Sequence, residues 1–507
     1  MGKKDKNKKK GKGAEKTALK TDKKLAAKQK KLLQKIGEAD ISEMVAKLEA
    51  DEAQRKSVTE TIVPPPSPRS NFSLCAHPDK EELILFGGEF YNGQTLAVYN
   101  DLFVYNISKN EWKQVQTRAG PAPRSAHQMV SVANDGGQLW LFGGELASPS
   151  QLQFYHYKDL WVYRLSNKTW DKIATTTGPS ARSGHRMVAI KKKLFVFGGF
   201  FDSSLSYKYF NDVWIFDLET YQWQEINITG TIRPIPRSAG CMAATNDGKI
   251  LIWGGYSKTN VKKEVDRGVT HGDMFCLAPD KSDSKTWKWT SVKPGGFKPV
   301  PRSGVNVAVA PNGKAYIFGG VLDVDEDEEN LSGNFSNEMH SIDLASYAWR
   351  QIELSGKKEK KKSKKGEKDV EMESVEEKSE VATVSSDGVF TMVVGGSADK
   401  STAVSKIDVN TCNTPSPRMK PGLVVCKGTL YLYGGVFEDG DKQYTLSDFY
   451  SIDLHKLDEW KTIIGHDKNA HEWMDSSSDG SSDEDSDDDD DDEEDDDSDD
   501  SDEMDTD

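Results

Sequence analysis

Several common ingredients are scarce in this chain of 507 residues. Hydrophobic residues make up only 36% of it, and no run of 18 apolar residues that could cross a membrane occurs. The five cysteines include no Cys-x-x-Cys pair, which argues against a zinc site and a disulfide framework. Lysines, not an apolar stretch, follow the first methionine, so we expect no secretory signal. These absences predict a cytoplasmic or nuclear protein without membrane contact.

The shortage of apolar residues is concentrated in three charged segments. Residues 1–36 hold 15 lysines against three acids, and residues 475–507 hold 22 acids and no basic residue. A Lys/Glu-rich stretch lies between them, and such compositions cannot bury enough apolar surface to become ordered. The predicted organisation is a disordered Lys-rich head over 1–39, a helix over 40–57, a folded domain over 58–465 with a disordered insert over 355–387, and a disordered acidic tail over 466–507.

One pattern is repeated six times in the folded domain. Each copy has an arginine, an apolar run closed by a glycine pair, an acid that opens a second apolar run, and a tryptophan. The glycine pairs end at Gly88, Gly144, Gly199, Gly255, Gly320 and Gly435. The arginines are Arg69, Arg124, Arg182, Arg237, Arg302 and Arg418. The acids are Asp101, Asp159, Asp212, Asp273, Glu338 and Asp448, and the tryptophans are Trp112, Trp170, Trp223, Trp289, Trp349 and Trp460.

Each copy reads as four short strands, a to d, separated by turn residues. Strand a follows the arginine, strand b ends at the glycine pair, strand c follows the acid and strand d carries the tryptophan. Glycine after strand b permits a positive φ and a close backbone approach. Four-stranded sheets repeated about every 50 residues around an axis form a β-propeller. We therefore predict an all-β propeller.

These markers resemble the kelch repeat over roughly residues 60–465. The segments PPPSPR, ELILFGGE, QFYHYKDLWV, RSGHRMVA and WGGYSK, with the MGKK opening and the acidic tail, are similar to the kelch domain-containing protein 4 family. The resemblance implies a kelch-type propeller. We expect six blades, with residues 388–410 forming an extra hairpin or a degenerate seventh blade, because they have a glycine pair but neither the arginine nor the tryptophan.

The b–c connections predict where the propeller binds. They share one face of the disc with the connections from strand d to the next blade, and they are long and variable, as binding loops on a rigid support are. We expect this b–c face to contact an unidentified protein, although its aromatic residues could instead pack their own loops. The candidate contact residues are Phe154, Tyr155, His156, Tyr157, Tyr207, Tyr209, Phe210, Lys262, Lys263 and Arg267.

The repeated arginine and acid fall on the same face. A feature present in every blade belongs to the frame of a propeller, whereas an active site is built once. We therefore predict that each arginine and acid form a hydrogen-bonded brace.

The functional prediction is a monomeric, non-enzymatic protein-interaction scaffold or adaptor. A nucleotide-binding loop, HExxH and GxSxG are all missing, so we expect no catalytic residue, cofactor or metal site. One alternative is a substrate-recognition adaptor for a ubiquitin ligase; another is a chaperone-like or nucleic-acid-associated factor that uses the charged tails. The Lys-rich head can neutralise phosphates but has no aromatic residue for stacking on bases, which disfavours nucleic-acid binding.

Two further features lie outside the repeats. Ile41, Met44, Val45 and Leu48 have helical spacing after an N-cap pattern at Asp40, and this predicts an amphipathic helix that docks on the propeller or on a partner. Four serines of the tail have an acid three residues on, a pattern favoured by acid-directed kinases, and each phosphate would add about −1.5 to −2 charges. These predicted phosphosites are Ser476, Ser481, Ser482 and Ser486. The tail then either pairs with the Lys-rich head or only aids solubility.

Overall fold

Six four-stranded antiparallel sheets form the blades of a closed propeller in the computed structural model. It describes residues 27–203, 206–262, 265–283, 285–327, 330–354, 414–439 and 442–466. Strand a of each blade lies beside strand a of the next, and strand a of blade 6 lies beside that of blade 1. The six-bladed kelch-type fold predicted from the repeats is therefore confirmed.

Every blade is contributed by one continuous stretch of chain in the order a, b, c, d. The strands of blade 1 are Ser73–Ala76, Glu82–Phe86, Leu102–Asn106 and Glu111–Gln116. Those of blade 2 are Gln128–Val132, Gln138–Phe142, Leu160–Arg164 and Thr169–Ile173. Those of blade 3 are Arg186–Ile190, Lys193–Phe197, Val213–Asp217 and Gln222–Glu225. Those of blade 4 are Cys241–Ala244, Ile250–Trp253, Met274–Pro279 and Trp287–Ser291. Those of blade 5 are Asn306–Val309, Lys314–Phe318, Met339–Asp343 and Ala348–Gln351. Those of blade 6 are Gly422–Cys426, Thr429–Asp439, Lys442–Asp453 and Lys461–Ile464.

Three short strands extend the outer edges of blades. Thr59–Val63 pairs antiparallel with strand d of blade 1, whereas Ile228–Thr229 and Gly295–Gly296 pair parallel with strand d of blades 4 and 5. No blade takes a strand from both ends of the described chain, so the ring is closed by side-chain packing between blades 6 and 1 and by backbone hydrogen bonds such as that from Gly435 N–H to the carbonyl oxygen of Arg69.

The b–c connections are β-hairpins, not irregular loops. Those of blades 1 to 3 are Glu89–Tyr91 with Leu96–Val98, Glu145–Ala147 with Phe154–His156, and Phe200–Ser203 with Ser206–Tyr209. Those of blades 4 and 5 are Tyr256–Lys262 with Val265–Thr270 and Val321–Asp327 with Asn330–Phe335, and blade 6 simply prolongs its strands b and c. The hairpin strands thus hold seven of the candidate binding residues: Phe154, Tyr155, His156, Tyr207, Tyr209, Lys262 and Arg267.

The repeated tryptophans fill the seams between blades. Each packs against the aromatic residue that precedes the glycine pair of the preceding blade: Trp170 lies 5.3 Å from Phe86, Trp223 lies 5.3 Å from Phe142, and Trp460 lies 5.7 Å from Phe318, centroid to centroid. All six are buried. A large aromatic surface offered by every strand d therefore supplies the inter-blade core.

The glycine pairs allow neighbouring blades to touch through their backbones. Gly143 has a φ of +63°, and a Cβ on it would lie 2.7 Å from the carbonyl oxygen of Arg182 in the next blade. The following residue, Gly144, donates its N–H to the same oxygen at 3.0 Å. Glycine is required because a side chain would occupy the space of the neighbouring chain.

No space is left for a seventh blade between blades 5 and 6. Tyr316 and Phe318 of blade 5 pack in one cluster with Leu432 and Trp460 of blade 6. The segment 388–410 lies outside the described residues, as do the insert 355–387, the tail from 467 onward with its four predicted phosphosites, and Lys263.

From residue 27 onward, two helices precede the propeller. The predicted helix is confirmed as Ile41–Ala53 (α2), with the Asp40 side chain accepting a hydrogen bond from the N–H of Ser42 at 2.8 Å. Residues 27–36 form a further helical segment (α1), so the prediction that the whole of 1–39 is disordered is wrong. Ala, Leu, Lys and Gln dominate this segment and are strong helix formers, whatever the net charge. Within the described residues neither helix is long and apolar enough to span a membrane.

Candidate binding face

The b–c face is built on the six repeat arginines, of which all but Arg302 are buried. Arg124 forms a bidentate pair with Asp159 at 2.7 and 3.1 Å and donates to the carbonyl oxygens of Gly143 and Ala122, both at 3.1 Å. Arg182 and Arg418 repeat this arrangement with Asp212 and Asp448. Each guanidinium ties strand b, strand c and the incoming d–a connection together. The predicted brace is confirmed.

Two candidate contact residues belong to these braces. Tyr157 and Phe210 are buried, and their rings lie 3.8 Å from the guanidinium of Arg124 and 4.0 Å from that of Arg182. Tyr99 takes the same place beside Arg69 in blade 1. The expectation that Tyr157 and Phe210 offer a contact surface is therefore wrong, because a cation–π contact holds each in the frame.

His156 is also enclosed. Its Nε2 accepts the backbone N–H of Asp202 at 2.9 Å, and its Nδ1 lies 3.6 Å from Oε2 of Glu145. Burial lowers the pKa of His156 to about 4, while burial and then the charge of Glu89 raise the pKa of Glu145 to about 7. Ser183 donates its hydroxyl to Glu145 at 2.7 Å. His156 thus joins the hairpins of blades 2 and 3 and is no contact residue, contrary to the expectation.

The remaining aromatic candidates stay accessible. Phe154 is exposed, and Tyr155, Tyr207 and Tyr209 are half-buried. Tyr207 and Tyr209 lie 6.0 Å apart, edge to face, on the hairpin of blade 3. The hairpins of blades 2 and 3 contact each other, and we call these four accessible residues together the aromatic surface.

Helix α2 lies along one edge of the aromatic surface. Val45 is buried against Ala122, Leu146 and Tyr157, with Tyr155 packed beside them. Polar contacts hold the ends of the segment: Gln153 donates to Glu38 at 3.0 Å, and Asn100 donates to Glu52 at 2.7 Å. The helix therefore docks on the propeller, on the face that the sequence selects for binding.

The basic candidates lie on the hairpin of blade 4. Arg267 and the neighbouring Lys258 are exposed, whereas Lys262 is placed only by its backbone in strand Tyr256–Lys262. This hairpin follows that of the aromatic surface around the ring, so the basic group adjoins the aromatic one.

Known proteins show the same repeat. The KLHDC2/KLHL20/DRC7 Kelch-repeats domain family matches residues 34–178 and 79–320. The putative adagio-like protein 2 of Oryza sativa subsp. japonica is 32% identical over 265 residues, which are 50% of this chain and 38% of that protein. Host cell factor 1 of Rattus norvegicus is 26% identical over 57% of this chain and 14% of its own length. The chain thus spans well under half of either relative.

Two other similar proteins differ in kind. The N-(sulfonatooxy)prop-2-enimidothioate sulfolyase of Thlaspi arvense is 25% identical over 57% of this chain and 80% of that protein. The solved structure of YjhT covers 79% of this chain and 99% of its own at 15% identity, with a TM-score of 0.48. Since one relative is named as an enzyme, the repeat alone does not decide between catalysis and binding. The six blades and a family match over more than half of the residues show that the chain belongs to the kelch-repeat proteins.

Proposed function

We propose that this chain is a non-enzymatic protein-interaction module that binds a partner on its b–c face. The contact is centred on Phe154, Tyr155, Tyr207 and Tyr209. The observation that carries the proposal is the accessibility of these four side chains on hairpins above a rigid, arginine-braced frame.

Aromatic side chains in this position favour binding for two reasons. Phenylalanine and tyrosine bring a large apolar area with few rotatable bonds, and tyrosine adds a polar tip, so both are enriched at protein interfaces. The docking of α2 beside Tyr155 supports the proposal as well, since this part of the face already accommodates an amphipathic helix.

The test replaces Phe154, Tyr207 and Tyr209 together by serine in the full-length protein. Proximity labelling in cells, followed by pull-down of the proteins found, should show at least about a tenfold loss of the wild-type partners, equivalent to about 1.4 kcal/mol. The circular dichroism spectrum should stay unchanged, because none of the three side chains is buried in a seam.

The matched control is Lys192→Ser with Lys193→Ser, on the a–b turn of blade 3 and hence on the opposite face. This variant should keep every partner. Partners that persist in a folded triple serine variant would refute the proposal. Ubiquitin-ligase subunits among the lost partners would identify the module as a substrate-recognition adaptor.

We also propose that the chain is allied to the kelch domain-containing protein 4 family. The support is the set of segments QFYHYKDLWV and RSGHRMVA, which include the brace residues Asp159 and Arg182 and the second strand of the blade 2 hairpin.

A further inference from the structure

The seam between blades 4 and 5 differs from the other five. At those five, the second glycine of each pair donates its N–H to the carbonyl oxygen of the next blade's arginine at 2.8 to 3.2 Å. The same arginine donates its own N–H back to the b–c connection, as Arg237 does to Phe210 at 3.0 Å. At the seam between blades 4 and 5, Gly255 does not donate to the carbonyl oxygen of Arg302, and Arg302 does not donate its backbone N–H to the b–c connection. All of these atoms belong to described residues.

Two other distances show that this seam is open. A Cβ on Gly254 would lie 3.8 Å from the oxygen of Arg302, whereas at the other five seams the equivalent separation is 2.8 Å or less. The Arg302 side chain is 10% exposed, against 2% or less for the other five arginines. Blades 4 and 5 are therefore spread apart on the b–c face.

An apolar cleft occupies the opening. The cleft encloses about 40 Å³ and is otherwise open to solvent, and Trp253, Trp349, Val305 and Met274 line its inner part. Val300 lines its outer part with 55% of its surface exposed, and Phe297, three residues earlier in the chain, is 62% exposed. Exposed apolar residues around a lined cleft mark a place where another apolar group is bound.

The charges on the two sides of the cleft have opposite signs. Lys258 and Arg267 of blade 4 and Lys298 at the rim are exposed and basic. Strand Val321–Asp327 in the hairpin of blade 5 is acidic by sequence. An occupant should therefore carry its acids toward blade 4 and keep them away from blade 5.

The chain's own C-terminal segment has these properties in the required order. Strand d of blade 6 ends at Ile464 and runs toward the b–c face, because strands alternate in direction and strand c begins at the b–c hairpin. Residues 467–472, which follow, have nearly balanced charge. Trp473 and Met474 come next and are the two large apolar residues before Met504. The acidic run begins at Asp475.

The reach is sufficient. Trp473 is seven residues after His466, and this stretch spans up to about 23–25 Å when it is extended. Packed sheets lie about 10 Å apart, and the cleft is one blade away. The balanced stretch would cross acidic blade 5, and the acids would begin on the blade 4 side.

We propose that Trp473 and Met474 of this chain pack across the apolar mouth of the cleft between blades 4 and 5, with the acidic tail leaving across the basic hairpin of blade 4. The tail then covers part of the b–c face from the side opposite to α2. This proposal does not depend on whether the aromatic surface binds a partner.

The test places the photo-crosslinker p-benzoylphenylalanine at position 473 of the full-length protein. Irradiation of dilute protein should join it to residues 271–274 and 298–305, as identified by mass spectrometry. A Val300→Glu substitution in the same chain should lower this yield about tenfold, because it sets a carboxylate beside the acidic tail and removes an apolar contact.

The matched control is Ile235→Glu. Ile235 has the same 55% exposure as Val300 and the same position two residues before the arginine, but at the closed 3–4 seam, so the yield should not change. Crosslinks spread over the face, crosslinks to the Lys-rich head, or an equal effect of both substitutions would overturn the proposal. Mixing isotope-labelled and unlabelled protein distinguishes binding within the chain from binding of a second copy, and mixed-label crosslinks would also overturn it.

Discussion

The seam tryptophans can be tested through Trp223, whose surroundings allow the cost of its loss to be worked out. Its ring is buried and lies 5.3 Å from Phe142 of the preceding blade and 5.0 Å from Phe216 of its own. Burial of an aromatic side chain removes about 150–250 Å² from water, worth about 4–6 kcal/mol at about 25 cal/mol per Å². Measured truncations of buried Trp to Ala cost about 3–5 kcal/mol, so we expect Trp223→Ala to lower the free energy of unfolding by that amount.

The measurement is reversible urea unfolding followed by circular dichroism. Phe297→Ala is the control, since that ring is 62% exposed and its removal should change the free energy of unfolding by no more than about 0.5 kcal/mol. A double-mutant cycle with Phe142→Ala should give a coupling of about 0.5–1.5 kcal/mol for the aromatic pair across the seam. A loss below about 1 kcal/mol for Trp223→Ala, or strict additivity with Phe142→Ala, would refute the assignment of this residue to the inter-blade core.

Two further perturbations test the backbone contact and the buried acid. Gly143→Ala should destabilise the protein by about 1–3 kcal/mol more than Gly248→Ala in the same urea assay, because both glycines have positive φ but only Gly143 would place its Cβ 2.7 Å from a neighbouring carbonyl; equal losses would contradict the close approach. Burial raises the pKa of Glu145 from 4.5 to about 7, so the folded state holds this proton more tightly than the unfolded state does. The stability that this group contributes is therefore present below about pH 4.5 and is lost as the pH rises to about 7. Glu145→Gln should therefore gain stability relative to wild type between pH 5 and pH 8, and a difference that is flat with pH would show that Glu145 is not buried as described.

Much of the frame was predictable because its constraints are local and repeated. The glycine pair, the arginine, the acid and the tryptophan each recur in every blade, and the contact that requires each of them recurs too, except for the glycine–arginine contact at the seam between blades 4 and 5. Gly144 and Arg182 meet across a seam, Arg124 braces Asp159, and Trp223 packs on Phe142. Six copies of one register leave a single architecture that satisfies them all. Helix α2 was predictable for a similar reason, since its N-cap and its apolar spacing lie within one short segment.

The binding surface was only partly predictable, because accessibility depends on neighbours that are remote in sequence. Tyr155, His156 and Tyr157 are consecutive, yet the first is half-buried beside α2, the second is enclosed by Asp202 and Glu145, and the third is stacked on Arg124. The position of Tyr157 two residues before the acid, which Tyr99 shares, was the one signal in the sequence that could have assigned it to the frame.

By itself, the sequence determined the repeat, the strand order and the face on which the long connections lie, since these follow from spacing and from the alternation of strand direction. The tertiary structure decided which aromatic residues remain accessible, where α2 docks and which seam is open. The opening between blades 4 and 5 depends on how closely Gly254 and Arg302 approach. A difference in separation of a few tenths of an ångström to one ångström is set by the packing of whole blades. No local sequence pattern predicts a difference of that size.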